Sequence, residues 1–229
     1  MRIHAIRAKA PVTSIDLEWF LACHSAGLVR SRLLEVGSAK VQGLPNLCDA
    51  AGTLGITDSI GVDLDSADGV DTVIDLGLSL SQFRERYCLG RFATVCVFNV
   101  LEHTFDPYTV LQNAMSCADA GGSLLVVTPS IWPIHNYPGD YNRLLPDWYR
   151  EFAKRTGLEL IEQHFCWLSQ FGIEPIRRDG SFPTYMSRKA RASRIRYWTS
   201  RVTHRVGNTY GRSHWATHCA IGAAFAVPS

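Results

Sequence analysis

Short runs of branched and aromatic residues, each closed by a polar residue or a glycine, alternate along the chain with segments whose apolar positions recur every three to four residues. An unbroken apolar run suits a strand buried on both faces, and the periodic segments suit helices that cross from one parallel strand to the next. The first periodic segment predicts a helix over 15–29, with Leu17, Phe20, Leu21 and Leu28 on one side. Strands follow at 32–36, 59–62, 72–74 and 93–98, and the residues that end them are Glu35/Gly37, Asp63, Asp75 and Asn99. Asp106-Pro107 then supplies an N-cap and a first helical position for a helix through Val110, Leu111, Ala114 and Met115, stopped by Gly121-Gly122. A fifth strand at 123–128, a helix at 146–156 stopped by Gly157, and strands at 158–167 and 219–227 complete the set.

This alternation predicts an α/β fold, a Rossmann-like seven-stranded mostly parallel sheet with helices on both faces and the last strand antiparallel. One domain is expected over 1–229: an N-terminal helix within 1–30, a ligand-binding core at 31–168, a basic insertion at 169–215 and the last strand within 216–229. No internal repeat or low-complexity stretch interrupts it.

Composition narrows the class. With 46% hydrophobic and 19% charged residues in 229, the chain is neither disordered, collagenous nor a coiled coil. Seven cysteines without a C-x-x-C pair read as reduced thiols, and no apolar run is long enough to span a membrane, so a cytoplasmic protein is expected. The net charge of +2 hides an asymmetry: residues 177–212 hold ten Lys/Arg against Asp179 alone, nine positive charges net, which leaves seven negative on the remainder. Such a segment meets something anionic, whether a substrate phosphate or carboxylate, a nucleic acid, a membrane surface or the acidic rest of the chain.

In open parallel sheets, ligands bind beyond the carboxyl ends of the strands. Gly37 permits a tight turn there, and Asp63 can accept both hydroxyls of a ribose, because an ionised carboxylate offers two acceptor oxygens. A nucleoside is implied. A nicotinamide dehydrogenase would need three close glycines around its pyrophosphate, but Gly37-Ser38-Ala39-Lys40-Val41-Gln42-Gly43 lacks the middle one.

The chain is similar instead to the class I S-adenosylmethionine-dependent methyltransferases, from Leu33 to Phe165. Leu33-Leu34-Glu35-Val36-Gly37-Ser38 resembles their first motif, whose acid and glycine turn hold the methionine end of the cofactor. Gly61-Val62-Asp63, with Leu64 after it, resembles the ribose-binding second motif, and 70–76 resembles the segment in which Asp75 and Leu76 would contact adenine. Phe98-Asn99-Val100-Leu101-Glu102-His103 resembles the motif after the fourth strand, and the loop 129–143, with Trp132-Pro133-Ile134-His135-Asn136-Tyr137-Pro138-Gly139-Asp140-Tyr141, is similar to that of one branch with a single-glycine first motif. The resemblance implies S-adenosyl-L-methionine as cofactor, held by Glu35, Gly37, Ser38, Asp63, Leu64, Asp75, Leu76 and Asn99. Ala39 and Val41 depart from the family, where many members have glycine, and Leu145 replaces the usual Ser or Thr before the Pro146 helix.

Each acid also has a structural role open to it: Glu35 can satisfy loop amides, and Asp75 can cap the next helix. His135 and His103 are the candidate catalytic groups, His135 as a general base near pH 7 or as a backbone partner in its loop. Asp140 and Arg143 read as an ion pair pinning that loop. Trp132, His135, Tyr137, Tyr141 and Arg194 are expected around the acceptor, with Trp148 as pocket or core, and a helix over 186–206 as a basic lid. No metal is expected, because His218 and Cys219 on one strand would point to opposite faces and His214 brings no further ligand. The expected activity is methylation of a small-molecule acceptor, preferably on oxygen, and the basic segment would suit an anionic group on that acceptor. RNA methylation through 177–212, or cofactor binding without catalysis, are the alternatives; the oligomeric state is left open.

Overall fold

Thr13 and Asp16 cap each other across the first turn of α1 (Ser14–Ser25): the Thr13 hydroxyl accepts from the Asp16 amide and the Asp16 carboxylate accepts from the Thr13 amide. The helix stops short of the expected residue 29, because Gly27 turns the chain at φ 77. The structure is a computed structural model that describes residues 13–41, 44–135, 139–169, 172–178 and 219–229. The expected helix over 186–206, and with it Arg194, lies outside the described residues, as does Tyr137.

The strands are β1 (Leu33–Val36), β2 (Ser59–Asp63), β3 (Thr72–Val73), β4 (Phe92–Phe98), β5 (Ala118–Ile131), β6 (Glu159–Leu160), β7 (Cys166–Ser169), β8 (Gly172–Pro175) and β9 (Cys219–Ala226). They form one sheet in the order β3-β2-β1-β4-β5-β9-β7-β8, with β6 also paired to β9. The first five are parallel, in a register that sets Val36 beside both Val62 and Val97. β9 runs antiparallel to β5 and β7.

Alternate residues feed two apolar layers. Leu34, Val36, Val95, Val97, Leu124 and Val126 pack with Phe83 of α3 (Leu80–Arg86), Leu111 of α4 (Pro107–Ser116) and Phe152 of α5 (Pro146–Thr156). Leu33, Cys96, Phe98, Leu125 and Val127 pack with Trp19 and Phe20 of α1 and Leu47 of α2 (Leu47–Thr53). Helices therefore cover both faces, which is why the central strands read as unbroken apolar runs.

Among the described residues the sheet has nine strands where seven were expected. The polar run Glu162–His164 leaves the sheet as a 3-10 turn and splits the predicted strand over 158–167 into β6 and β7. β8, inside the expected insertion, pairs back onto β7. β5 starts before the predicted residue 123, since Gly121 and Gly122 themselves bond to Val227 beside β9. Asp106 caps α4 with Pro107 behind it, and Leu145 gives α5 no side-chain cap. Among the described residues no helix is long and apolar enough to cross a membrane.

Candidate active site

Gly37 leaves β1 at φ +82, a conformation open to glycine, and a Cβ built there would lie 2.3 Å from Val100 Cγ2 beyond the end of β4. The strand ends can therefore approach one another only with no side chain at 37. Next to them the carboxyl ends of β1, β2 and β4 border a cavity of about 880 Å³, within the range of small-molecule sites. At the β2 end, one oxygen of Asp63 accepts from the Ala39 amide at 3.2 Å and the other from the Leu64 amide at 2.7 Å. An ionised carboxylate has about four acceptor positions, so each oxygen keeps one for a ligand hydroxyl. Asn99 ends β4 at φ 54 and donates its amide to Asp16 Oδ2 at 3.2 Å across the mouth. Asp16 is 1% exposed, and burial raises its carboxyl above the usual range.

Farther along the cavity, β4 runs into a 3-10 turn, Leu101–His103, and the loop after β5 folds back onto it. The amides of Tyr141 and Asn142 both donate to the Glu102 carbonyl, and Asn142 donates its side-chain amide to the Thr104 carbonyl. The Arg143 guanidinium forks onto both oxygens of Asp140 and holds that carboxyl well below the usual range. Asp140 in turn accepts from the His135 amide at 2.9 Å and faces His135 Nδ1 at 3.2 Å. His103 Nδ1 meets the Gly139 carbonyl, and the two imidazoles stand edge to face with centroids 5.0 Å apart. Glu102 is 1% exposed, and burial, with Asp140 and Asp16 adding like charge against Arg143, pushes its carboxyl up to about 8.

Gly37, Asp63, Leu64, Asn99, His103, Trp132 and His135 of the sequence-predicted residues line this one cavity. Glu35 does not: it is 3% exposed at the centre of the sheet, and its two oxygens accept from the Leu47 and Cys48 amides at 2.9 and 2.8 Å, anchoring the first turn of α2. Ser38 is fully buried and does not border the cavity. Asp75 accepts from the Gly77 amide, while Ser79 caps α3, so Asp75 is not that helix's cap; neither it nor Leu76 borders the cavity. Tyr141 points outward with its ring against Phe105, and Trp148, half-buried, stacks on Phe152 at the edge of the core. The ion pair of Asp140 with Arg143 is present. Sequence reasoning missed Asp16, whose one signal was Thr13-x-x-Asp16 ahead of an apolar helix, and it missed the meeting of Glu102 with both histidines.

No family model matches the sequence, and no curated protein does. Solved structures do. A candidate methyltransferase from Bacillus halodurans C-125 superposes with a TM-score of 0.55 at 13% identity, covering 93% of this chain and 99% of its own. A candidate sarcosine dimethylglycine methyltransferase from Galdieria sulphuraria gives 0.51 at 15%, over 93% and 85%. The [4+2]-cyclase SpnF gives 0.52 at 14%, over 92% and 80%. The chain thus has a Rossmann-like α/β fold shared with methyltransferase structures. A fold so widely used leaves the chemistry to the site.

Proposed function

We propose that the protein is an S-adenosylmethionine-dependent methyltransferase that acts on a small-molecule acceptor, at oxygen by preference. The observation that carries this reading is Asp63: a carboxylate at the end of the second parallel strand, fixed by one amide on each oxygen and open to the cavity beside Gly37. Those residues fit a ribose, and the cavity has room for the rest of a nucleoside cofactor and an acceptor. The methyltransferase structures that share the fold support the same choice.

The cofactor supplies, when bound, a methyl group on a sulfonium. The chain has to hold the acceptor in line with that methyl and exclude water. Asp63 holds the ribose end, Gly37 lets the backbone come close, and Asn99 with Asp16 borders the passage between the strand ends and the loop. His103, His135 and Trp132 take the acceptor end, and the imidazoles serve to activate its hydroxyl. A neutral imidazole of His103 or His135 would take the hydroxyl proton as the acceptor oxygen received the methyl group that the sulfonium would supply. The test is calorimetric titration of the protein with S-adenosylmethionine and S-adenosylhomocysteine, then a screen of hydroxyl-bearing acceptors for a mass gain of one methyl. Saturable binding of both ligands and turnover with an oxygen acceptor are expected; failure to bind either in the folded protein would overturn the reading.

A further inference from the structure

Glu102 and His103 on the 3-10 turn and His135 on the loop after β5 converge at the acceptor end of the cavity, with one potential ligand atom of each within 4.8 Å of the others. Both imidazoles are already committed on one side. The Gly139 carbonyl can only accept, so His103 Nδ1 carries a hydrogen and donates to it; Asp140, forked by Arg143, takes the Nδ1–H of His135 in the same way. Each ring in its neutral form therefore has its lone pair on Nε2. An imidazole with Nδ1–H fixed on a carbonyl or carboxylate is oriented as metal-bound histidines are.

Glu102 completes the set. Its side chain is 1% exposed, and its Oε2 has no hydrogen-bond partner among the described residues. A buried carboxylate is costly unless it is paired or bound to a cation. Its Oε1 stands 3.7 Å from His103 Nε2, beyond hydrogen-bond distance. Two ligands about 2.0–2.2 Å from one tetrahedral ion are separated by about 3.4 Å, and the three atoms here lie within 4.8 Å of one another, so a contraction of up to about 1.4 Å at the widest pair closes the set.

We propose that Glu102, His103 and His135 bind one divalent transition cation, Zn²⁺ or a near neighbour in its series, with open coordination positions facing the cavity. Two nitrogens and one carboxylate oxygen suit such an ion better than Ca²⁺ or Mg²⁺, which take oxygen ligands. The role of the ion rests on the methyltransferase reading above. An acceptor hydroxyl coordinated there is acidified and its proton passes to solvent water; with the ion bound, the imidazoles are ligands and the ion takes over the activation assigned to them above.

The experiment uses the full chain, stripped with chelator and titrated with Co²⁺ by visible absorption and with Zn²⁺ by calorimetry. One ion per chain is expected, with a Co²⁺ ligand-field spectrum. Glu102→Gln and His135→Ala should each weaken Co²⁺ binding by roughly 100-fold or more, and Asp140→Asn, which lies behind the imidazole and is paired with Arg143, by about 10- to 100-fold. S-adenosylhomocysteine affinity, measured on the same preparations, should stay at the wild-type value. Should Glu102→Gln fail to fold, His135→Ala carries the test, since that side chain is 41% exposed. No saturable Co²⁺ binding by protein that binds S-adenosylhomocysteine, or equal binding by wild type and His135→Ala, would overturn the site. Site-specific Co²⁺ binding without any S-adenosylhomocysteine binding would leave the metal site standing and remove the methyltransferase reading.

Discussion

Replacing Gly37 by alanine tests the packing that brings the strand ends together. Two separate penalties meet at that position. A non-glycine residue at φ +82 costs about 1–2 kcal/mol. The new methyl lies 2.3 Å from Val100 Cγ2, and such overpacking adds about 1–3 kcal/mol. Together Gly37→Ala should lose about 2–5 kcal/mol, which at a urea slope of about 2–3 kcal/mol/M lowers the unfolding midpoint by about 1–2 M. Val100→Ala removes the clashing Cγ2 and leaves the backbone penalty. The double variant Gly37→Ala/Val100→Ala should then recover the second penalty only, a coupling of about 1–3 kcal/mol between the two sites. Urea unfolding of wild type, both single variants and the double variant measures it. Strict additivity, or an unchanged midpoint in Gly37→Ala, would refute the argument that the bare glycine is what lets β1 and β4 end side by side.

Asp63→Ala should weaken S-adenosylhomocysteine binding by about 1.5–3 kcal/mol, the scale of hydrogen bonds to a charged group, and calorimetry on the folded variant reads it directly. His135→Ala should lower turnover about 100-fold with cofactor affinity kept; parallel loss of both would make the residue structural. Burial raises the Glu35 carboxyl to about 7 against the opposing pull of the Leu47 and Cys48 amides. Its folded pKa thus exceeds the unfolded one, so its stabilising contribution is complete below about pH 4.5 and fades as pH rises to about 7, by up to about 3 kcal/mol. Glu35→Gln, which cannot ionise, should show a shallower fall of stability between pH 5 and 7 in urea titrations, and matching slopes would exclude Glu35 as the source.

Elements with long apolar runs or explicit punctuation were legible in the sequence. β1 is four buried residues closed by Gly37, β4 is seven residues, six of them buried, closed by Asn99, and α5 is framed by Pro146 and Gly157. The short helices α2 and α3, seven residues each, complete too few turns to display a period. Glu35 shows the limit at the site. A strand-end acid looks the same in sequence whether it faces a ligand or the amides of the following helix, and only the path of the intervening loop decides between them. The same holds for His103 and His135, which meet because two backbone amides of the loop bond to the Glu102 carbonyl, a long-range pairing that no local pattern encodes.

β9 occupies an interior position of the sheet, between β5 and β7, although it is made after both. During synthesis the inner edges of β5 and β7 therefore stay unpaired until residue 226 has left the ribosome, and the sheet exists as two halves with exposed backbone donors and acceptors. The final strand acts as a keystone: its entry joins the halves in one late, long-range event, which makes nascent or shortened chains the form most exposed to edge-to-edge aggregation and to chaperone capture.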